Sequence, residues 1–215
     1  MMGLTLREMI LRLPVLFIAI SVHEYCHGYA AYKMGDGTAK MQGRLTLNPL
    51  AHIDILGALC MVLFGFGWAK AVPINPNNFK DRKKGLVLVS LAGPLSNFFI
   101  AFVGAILYGV FARFNFGSFN LEFADVFYGL MNELILLNVC FGVFNLLPIP
   151  PLDGSKIVGA FLPYRVYYKV LEYERYAFPV LLILLYTNIL SKVLFILINP
   201  VLKSINSLIN LIVNL

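Results

Sequence analysis

Four stretches of this chain, about residues 13–34, 86–112, 127–148 and 176–198, stay apolar long enough to cross a bilayer as helices. A hydrocarbon core of roughly 30 Å takes about 20 residues at about 1.5 Å each. Backbone in lipid must satisfy its own polar groups, so runs of this length dictate helix. Of the 215 residues, 60% are hydrophobic and 13% charged, a balance that excludes an ordinary soluble domain. The first run continues through His23 to about Met34 without a small-residue cleavage site, and so reads as a retained span, not a signal peptide. The expected fold is an all-α polytopic membrane protein forming one membrane domain over 1–215, with a core over about 13–160 and C-terminal helices over about 176–215.

Between the first and second long spans the pattern changes. "GTAKMQGRLTLNP" (37–49) reads as a β-hairpin, and Ile53 to Gly67, shorter than a span and holding three glycines, reads as a re-entrant element sheltered by protein. The tail "NPVLKSINSLINLIVNL" (199–215) is either a last span or an interfacial helix. Basic residues gather beside the spans: "KDRKKG" (80–85), and Lys156, Arg165, Lys169 and Arg175. By the positive-inside rule these regions face the cytoplasm, while the loop 113–126 and the N-terminus face out; Arg7 and Arg12 weigh against the N-terminal assignment. The net charge of +6 is thus explained by topology, and no nucleic-acid motif accompanies it. Cys26, Cys60 and Cys140 each lie in an apolar segment with no C-x-x-C pair, as packing residues do.

"SVHEYCHGYA" (21–30) places two imidazoles and a carboxylate inside the first span, where ionisable groups are costly. On a helix His23 and His27 project from one face a turn apart, so both can reach a single metal. Glu24 points about 100° round the helix from His23, which sets its carboxylate beside the metal, where it can take a proton from water. Catalytic zinc takes three protein ligands and keeps one position open. The third ligand is either His52, the remaining histidine, or a carboxylate, for which Asp153 in "NLLPIPPLDGSK" (145–156) is the candidate. Pro148, Pro150 and Pro151 break the third long span there, and Gly154 permits a turn.

"HEYCH" joined to "NLLPIPPLDG", with "AGPLSN" (92–97) and "FGWAKAVPINPNNF" (66–79), resembles the site-2 protease family of intramembrane zinc metalloproteases, in its short bacterial or archaeal form without an inserted soluble domain. The resemblance covers about residues 15–160. It implies one zinc per chain held by His23, His27 and Asp153, with Glu24 as general base. It also implies that Asn145 orients substrate or stabilises the oxyanion. Asn138 and Asn145 are seven residues apart and share a helix face, an inward polar stripe; for Asn138 helix packing is the preferred reading.

His52 and Asp54 in "LAHIDILG" fit a partner of a ligand, an accessory metal contact or a helix start. Asn97, beside a kink at Gly93 and Pro94, fits packing or an accessory role in the site. The expected activity is hydrolysis of peptide bonds in or near transmembrane segments of membrane proteins, with the site nearer the cytoplasmic side of a prokaryotic cell membrane. A substrate helix must unwind to expose its carbonyls, and the stretches 37–49 and 67–76 offer strand edges for the unwound segment. The alternative is a membrane metal transporter or metal-binding protein using the same cluster. It requires further ligands along a path, which a chain with three histidines lacks.

Overall fold

The computed structural model describes residues 6–57, 68–118, 120–163, 165–166, 172 and 176–215. The described helices are α1 (Leu6–Met34), α2 (Thr38–Met41), α3 (Arg82–Arg113), α4 (Leu121–Asn145), α5 (Asp153–Gly159), α6 (Ala177–Tyr186) and α7 (Ile189–Asn214). Four stretches are long and apolar enough to cross a membrane: Ile10–Met34, Arg82–Arg113, Leu121–Asn145 and Ile189–Asn214. The chain is thus an all-helical, multi-pass membrane protein among its described residues.

Two expectations are corrected. The run 176–198 is not one span, because Thr187 and Asn188 form a turn in which Asn188 takes the left-handed conformation (φ 58), and the chain restarts as α7. The hairpin expected over 37–49 is absent. Among the described residues the only β feature is an isolated antiparallel bridge between Ile53 and Ala69. A local turn explains the difference. Gly35 (φ 110) ends α1, and the Asp36 carboxylate accepts the Thr38 N–H (3.1 Å) and hydroxyl, a turn that leads the chain into α2 in place of a strand. The re-entrant element proposed for 53–67 falls largely outside the described residues, as do Cys60, Lys169 and Arg175.

The chain divides into two compact units. The first comprises residues 1–19, 97–144 and 182–215. Its core sets Ala101 and Ala105 of α3 against Ile135, Val139 and Val143 of α4, with Leu194, Ile198, Val201, Leu202, Ile205, Leu208 and Ile209 of α7 packed on them. Small residues permit the close approach: a Cβ on Gly142 would stand 2.8 Å from the Phe98 ring, and one on Gly109 would stand 3.0 Å from Ile212. Polar ties join its helices. Asn97 Nδ2 donates to Asn138 Oδ1 (2.9 Å) and to the Ala19 carbonyl (3.3 Å), and Arg12 forks onto both Glu133 oxygens (2.8 and 3.0 Å).

The second unit comprises residues 20–96 and 145–181. Ala31 of α1 packs with Phe79, Leu86 and Val89, joined by Ile74 and Ala160. Asp36 is fully buried and binds two connections together, accepting the Asn75 N–H (2.7 Å) and the Asn78 side-chain amide (2.8 Å). Burial opposes its ionisation, but these bonds and those from Thr38 outweigh burial and hold its carboxyl below the ordinary range.

Candidate metal centre

His23 and His27 lie one turn apart on α1, and both are buried. Asp153 opens the short helix α5, after the turn in which Pro148, Pro150 and Pro151 end α4. All three side chains belong to the second unit. Their ligating atoms converge: His27 Nε2 lies 2.9 Å from His23 Nε2 and 2.9 Å from Asp153 Oδ2, and His23 Nε2 lies 3.3 Å from the same oxygen. Tetrahedral zinc with bonds of about 2.0–2.1 Å sets its ligand atoms about 3.3 Å apart. The cluster therefore needs to open by only a few tenths of an ångström.

The donor set calls for a cation. His27 Nδ1 lies 2.7 Å from the Val89 carbonyl, which can only accept, so Nδ1 carries the proton and Nε2 of the neutral ring is a lone pair. That lone pair faces a carboxylate oxygen and a second imidazole nitrogen, an arrangement of acceptors that a metal ion satisfies. Lys156 Nζ lies 3.2 Å from Asp153 Oδ1.

Gly93 of α3 supplies the space. A Cβ there would overlap His27 Nε2 and stand 2.7 Å from His23 Nε2, so only glycine leaves room against the two ring nitrogens. The sequence suggested only a helix kink at this residue. Gly154 is also corrected: it sits inside α5 without a positive φ, and glycine is required because a Cβ would strike the Leu146 and Leu147 carbonyls.

Glu24 is buried on α1, and its Oε2 accepts the Val72 backbone N–H at 2.8 Å. This partner, 48 residues away, has no sequence signal beyond the extended "AVPINP". Residues 70–75 run without helix, anchored by Lys70 N–H to the His52 carbonyl (2.9 Å) and by Arg44 to the Lys70 carbonyl (2.7 Å).

The remaining candidates are placed differently. Asn145 is the last residue of α4, half-buried in the same unit. His52 is buried, but its Nε2 donates to the Thr46 carbonyl (2.9 Å), and it is not part of the ligand cluster. Asp54 caps its own turn through the Gly57 N–H (2.8 Å). Asn97 is a buried tie within the first unit, as is Asn138. Cys26 and Cys140 are half-buried free thiols.

Helices long and apolar enough to cross a membrane, carrying a buried His–His–Asp cluster that could hold a metal ion, define a membrane metalloprotein with a hydrolase's donor set. Residues 120–187 match peptidase family M50. "Putative zinc metalloprotease YwhC" of Bacillus subtilis is 42% identical over 192 residues, covering 86% of this chain and 84% of the relative. "Putative zinc metalloprotease Rip2" of Mycolicibacterium smegmatis is 30% identical, covering 81% of this chain and 66% of the relative. "Zinc metalloprotease MJ0392" of Methanocaldococcus jannaschii is 28% identical, covering 69% of this chain and 33% of the relative. No solved structure matches significantly. The chain belongs to peptidase family M50 and is a membrane zinc metalloprotease. Membership in a peptidase family sets aside the transporter alternative.

Proposed function

We propose that the whole chain acts as one membrane domain, which hydrolyses peptide bonds in or near the membrane-spanning segments of other proteins. One zinc ion is held by His23, His27 and Asp153. The observation that carries this reading is the convergence of those three ligand atoms, with Glu24 next to His23 on the same helix. Zinc bound there supplies Lewis acidity, making water a nucleophile at neutral pH and polarising a carbonyl.

The protein's own groups do the rest. Val89 fixes the His27 tautomer through its carbonyl, and the Val72 N–H holds Glu24 Oε2, leaving Oε1 to take a proton from the attacking water. Glu24 then returns the proton to the leaving amine, and Asn145 donates its amide to the charge that develops on the scissile oxygen. His52 and Asn97 act outside the reacting group, by holding the 46–52 turn and the helix packing. Substrate enters as an extended strand along residues 67–76, where main-chain bonds fix it with little sequence selectivity. The site lies nearer the cytoplasmic side of the cell membrane, as the basic residues over 80–84, Lys156 and Arg165 indicate.

The test is zinc per chain together with cleavage of a panel of single-span membrane proteins, by wild type and Glu24→Gln. We expect about one zinc in both proteins and a loss of cleavage of at least roughly a hundredfold in the variant. Undiminished cleavage by Glu24→Gln overturns the assigned base, and wild type without zinc overturns the metal site.

A further inference from the structure

One face of α7 carries a polar stripe. At about 100° per residue, Lys192, Asn199, Lys203, Asn206, Asn210 and Asn214 fall within an arc of about 80°, which they share with the exposed Ile196. Asn199 is half-buried and the other five are exposed. The opposite face is spent on the core of the first unit, with Val201, Ile205 and Ile209 against α3 and α4.

The contacts of α7 also fix its depth. Ile212 packs at Gly109, and Arg113, which ends α3, donates from Nη1 to the Ile212 carbonyl at 3.2 Å. Lys203 lies nine residues (212 − 203) back along the helix, about 14 Å, close to half of a hydrocarbon core of about 30 Å. A lysine stem reaches about 6 Å, too short to snorkel to either interface from there. Lipid tails offer nothing to an ammonium or to amides at that depth, so this face must meet protein.

Charge selects the occupant. A second copy would set Lys203 against Lys203 in a symmetric pairing. Its own deep carboxylates are engaged, Glu24 with the Val72 N–H and Glu133 with Arg12. We infer that the outer face of α7 docks a membrane-spanning helix of another protein, one that carries an Asp or Glu near the bilayer midplane to pair with Lys203. Amide or hydroxyl side chains of that helix meet Asn206 and Asn210. None of the three candidate metal ligands lies on α7, so the test of the docking face needs no proteolysis.

The full chain, labelled with a donor fluorophore, is placed in phosphatidylethanolamine–phosphatidylglycerol vesicles with acceptor-labelled Leu/Ala peptides of roughly 24 residues, long enough to span. One peptide has a single central Glu and the other a central Leu. We expect the Glu peptide to associate at least roughly tenfold more tightly with wild type, Lys203→Met to abolish the preference, and Asn206→Leu/Asn210→Leu to weaken it about threefold. Zinc content and helicity should be unchanged in these variants. Equal association of the two peptides, or a preference that survives Lys203→Met, overturns the proposal. Lys203-dependent energy transfer between copies of the chain without peptide preference would assign the face to self-association and overturn it too. Rapid reaction of Asn206→Cys with a membrane-impermeant maleimide would place the face in water and would equally overturn the docking of a membrane-spanning helix there.

Discussion

Replacing Gly93 with alanine adds one methyl group at the point where the metal must sit. The Cβ would overlap His27 Nε2 and stand 2.6 Å from His23 Cε1 and 2.7 Å from His23 Nε2, where real Cβ contacts stay beyond 3.0 Å. Because zinc–nitrogen bonds are about 2.0–2.1 Å, the methyl competes for the ion's own volume. Relief requires α3 or the two imidazoles to retreat by about 0.5–1 Å, and a displacement of that size costs roughly a hundredfold in rate when it separates reacting groups. Gly93→Ala should therefore purify with well below one zinc per chain by elemental analysis and lose at least about 99% of cleavage activity. Gly28→Ala on α1 is the matched control: its Cβ would meet side chains alone, the end of Leu45 at 3.2 Å, Ala39 at 3.5 Å and Val72 at an ordinary 3.9 Å, so zinc and activity should remain near wild type. Far-ultraviolet circular dichroism and a thermal melt separate loss of the ion from loss of the fold. A folded Gly93→Ala protein with a full complement of zinc and wild-type cleavage would refute the assignment of the metal position.

Val72→Pro removes the N–H that holds Glu24 and should lower kcat by roughly tenfold to a hundredfold with zinc retained, whereas Val72→Ala should change little; equal kcat in the two variants would dismiss the contact. Asp36 has its carboxyl depressed in the folded chain, so its contribution is complete above the unfolded value of about 3.9 and is lost as pH falls below that towards the folded value. The melting-temperature difference between wild type and Asp36→Asn should be constant above about pH 5 and shrink below about pH 4; a difference independent of pH would show that the carboxylate's charge is irrelevant. Arg12→Leu or Glu133→Leu alone leaves one charge of a bidentate pair unmatched beside the core of the first unit and should cost about 2 kcal/mol of stability, while the double substitution recovers most of it. A loss in the double variant equal to the sum of the two single losses, read from denaturation in detergent, would argue that the pair does not interact.

The histidine pair and Glu24 were legible as a candidate site because their meaning is local, whereas Asp153 stood beside His52 as a candidate until the family resemblance singled it out. A spacing of four residues fixes two imidazoles on one helix face, and a charge in an apolar run has few reasons to be there. The helical class came from run length for the same reason, since lipid leaves the backbone one economical way to cross. The hairpin at 37–49 was misread because the Asp36 carboxylate, two residues before Thr38, takes the Thr38 N–H in a turn that leads into helix. "GDG" at 35–37 held that signal, a helix-ending glycine followed by a turn-forming aspartate. The run 176–198 misled by hydropathy alone, which is blind to the left-handed residue at Asn188.

Other features had no sequence signal of their own. Arg12 looked like a topology marker until Glu133, 121 residues later, was found to accept both its nitrogens. Val89 and Val72 act through backbone atoms that every residue carries, so no side-chain pattern announces them. Gly93 is required for the volume it leaves to atoms of another helix, and the asparagines of α7 became an outer stripe only once its apolar face had a core to cover. Run length, spacing and charge are properties of neighbours along the chain, and through them the sequence alone determined the helical class, the membrane and a candidate histidine pair with its carboxylate. Which backbone groups orient those side chains, which glycine keeps the metal's place open and which face of a span is left over are properties of distant segments brought together, and only the tertiary structure decided them.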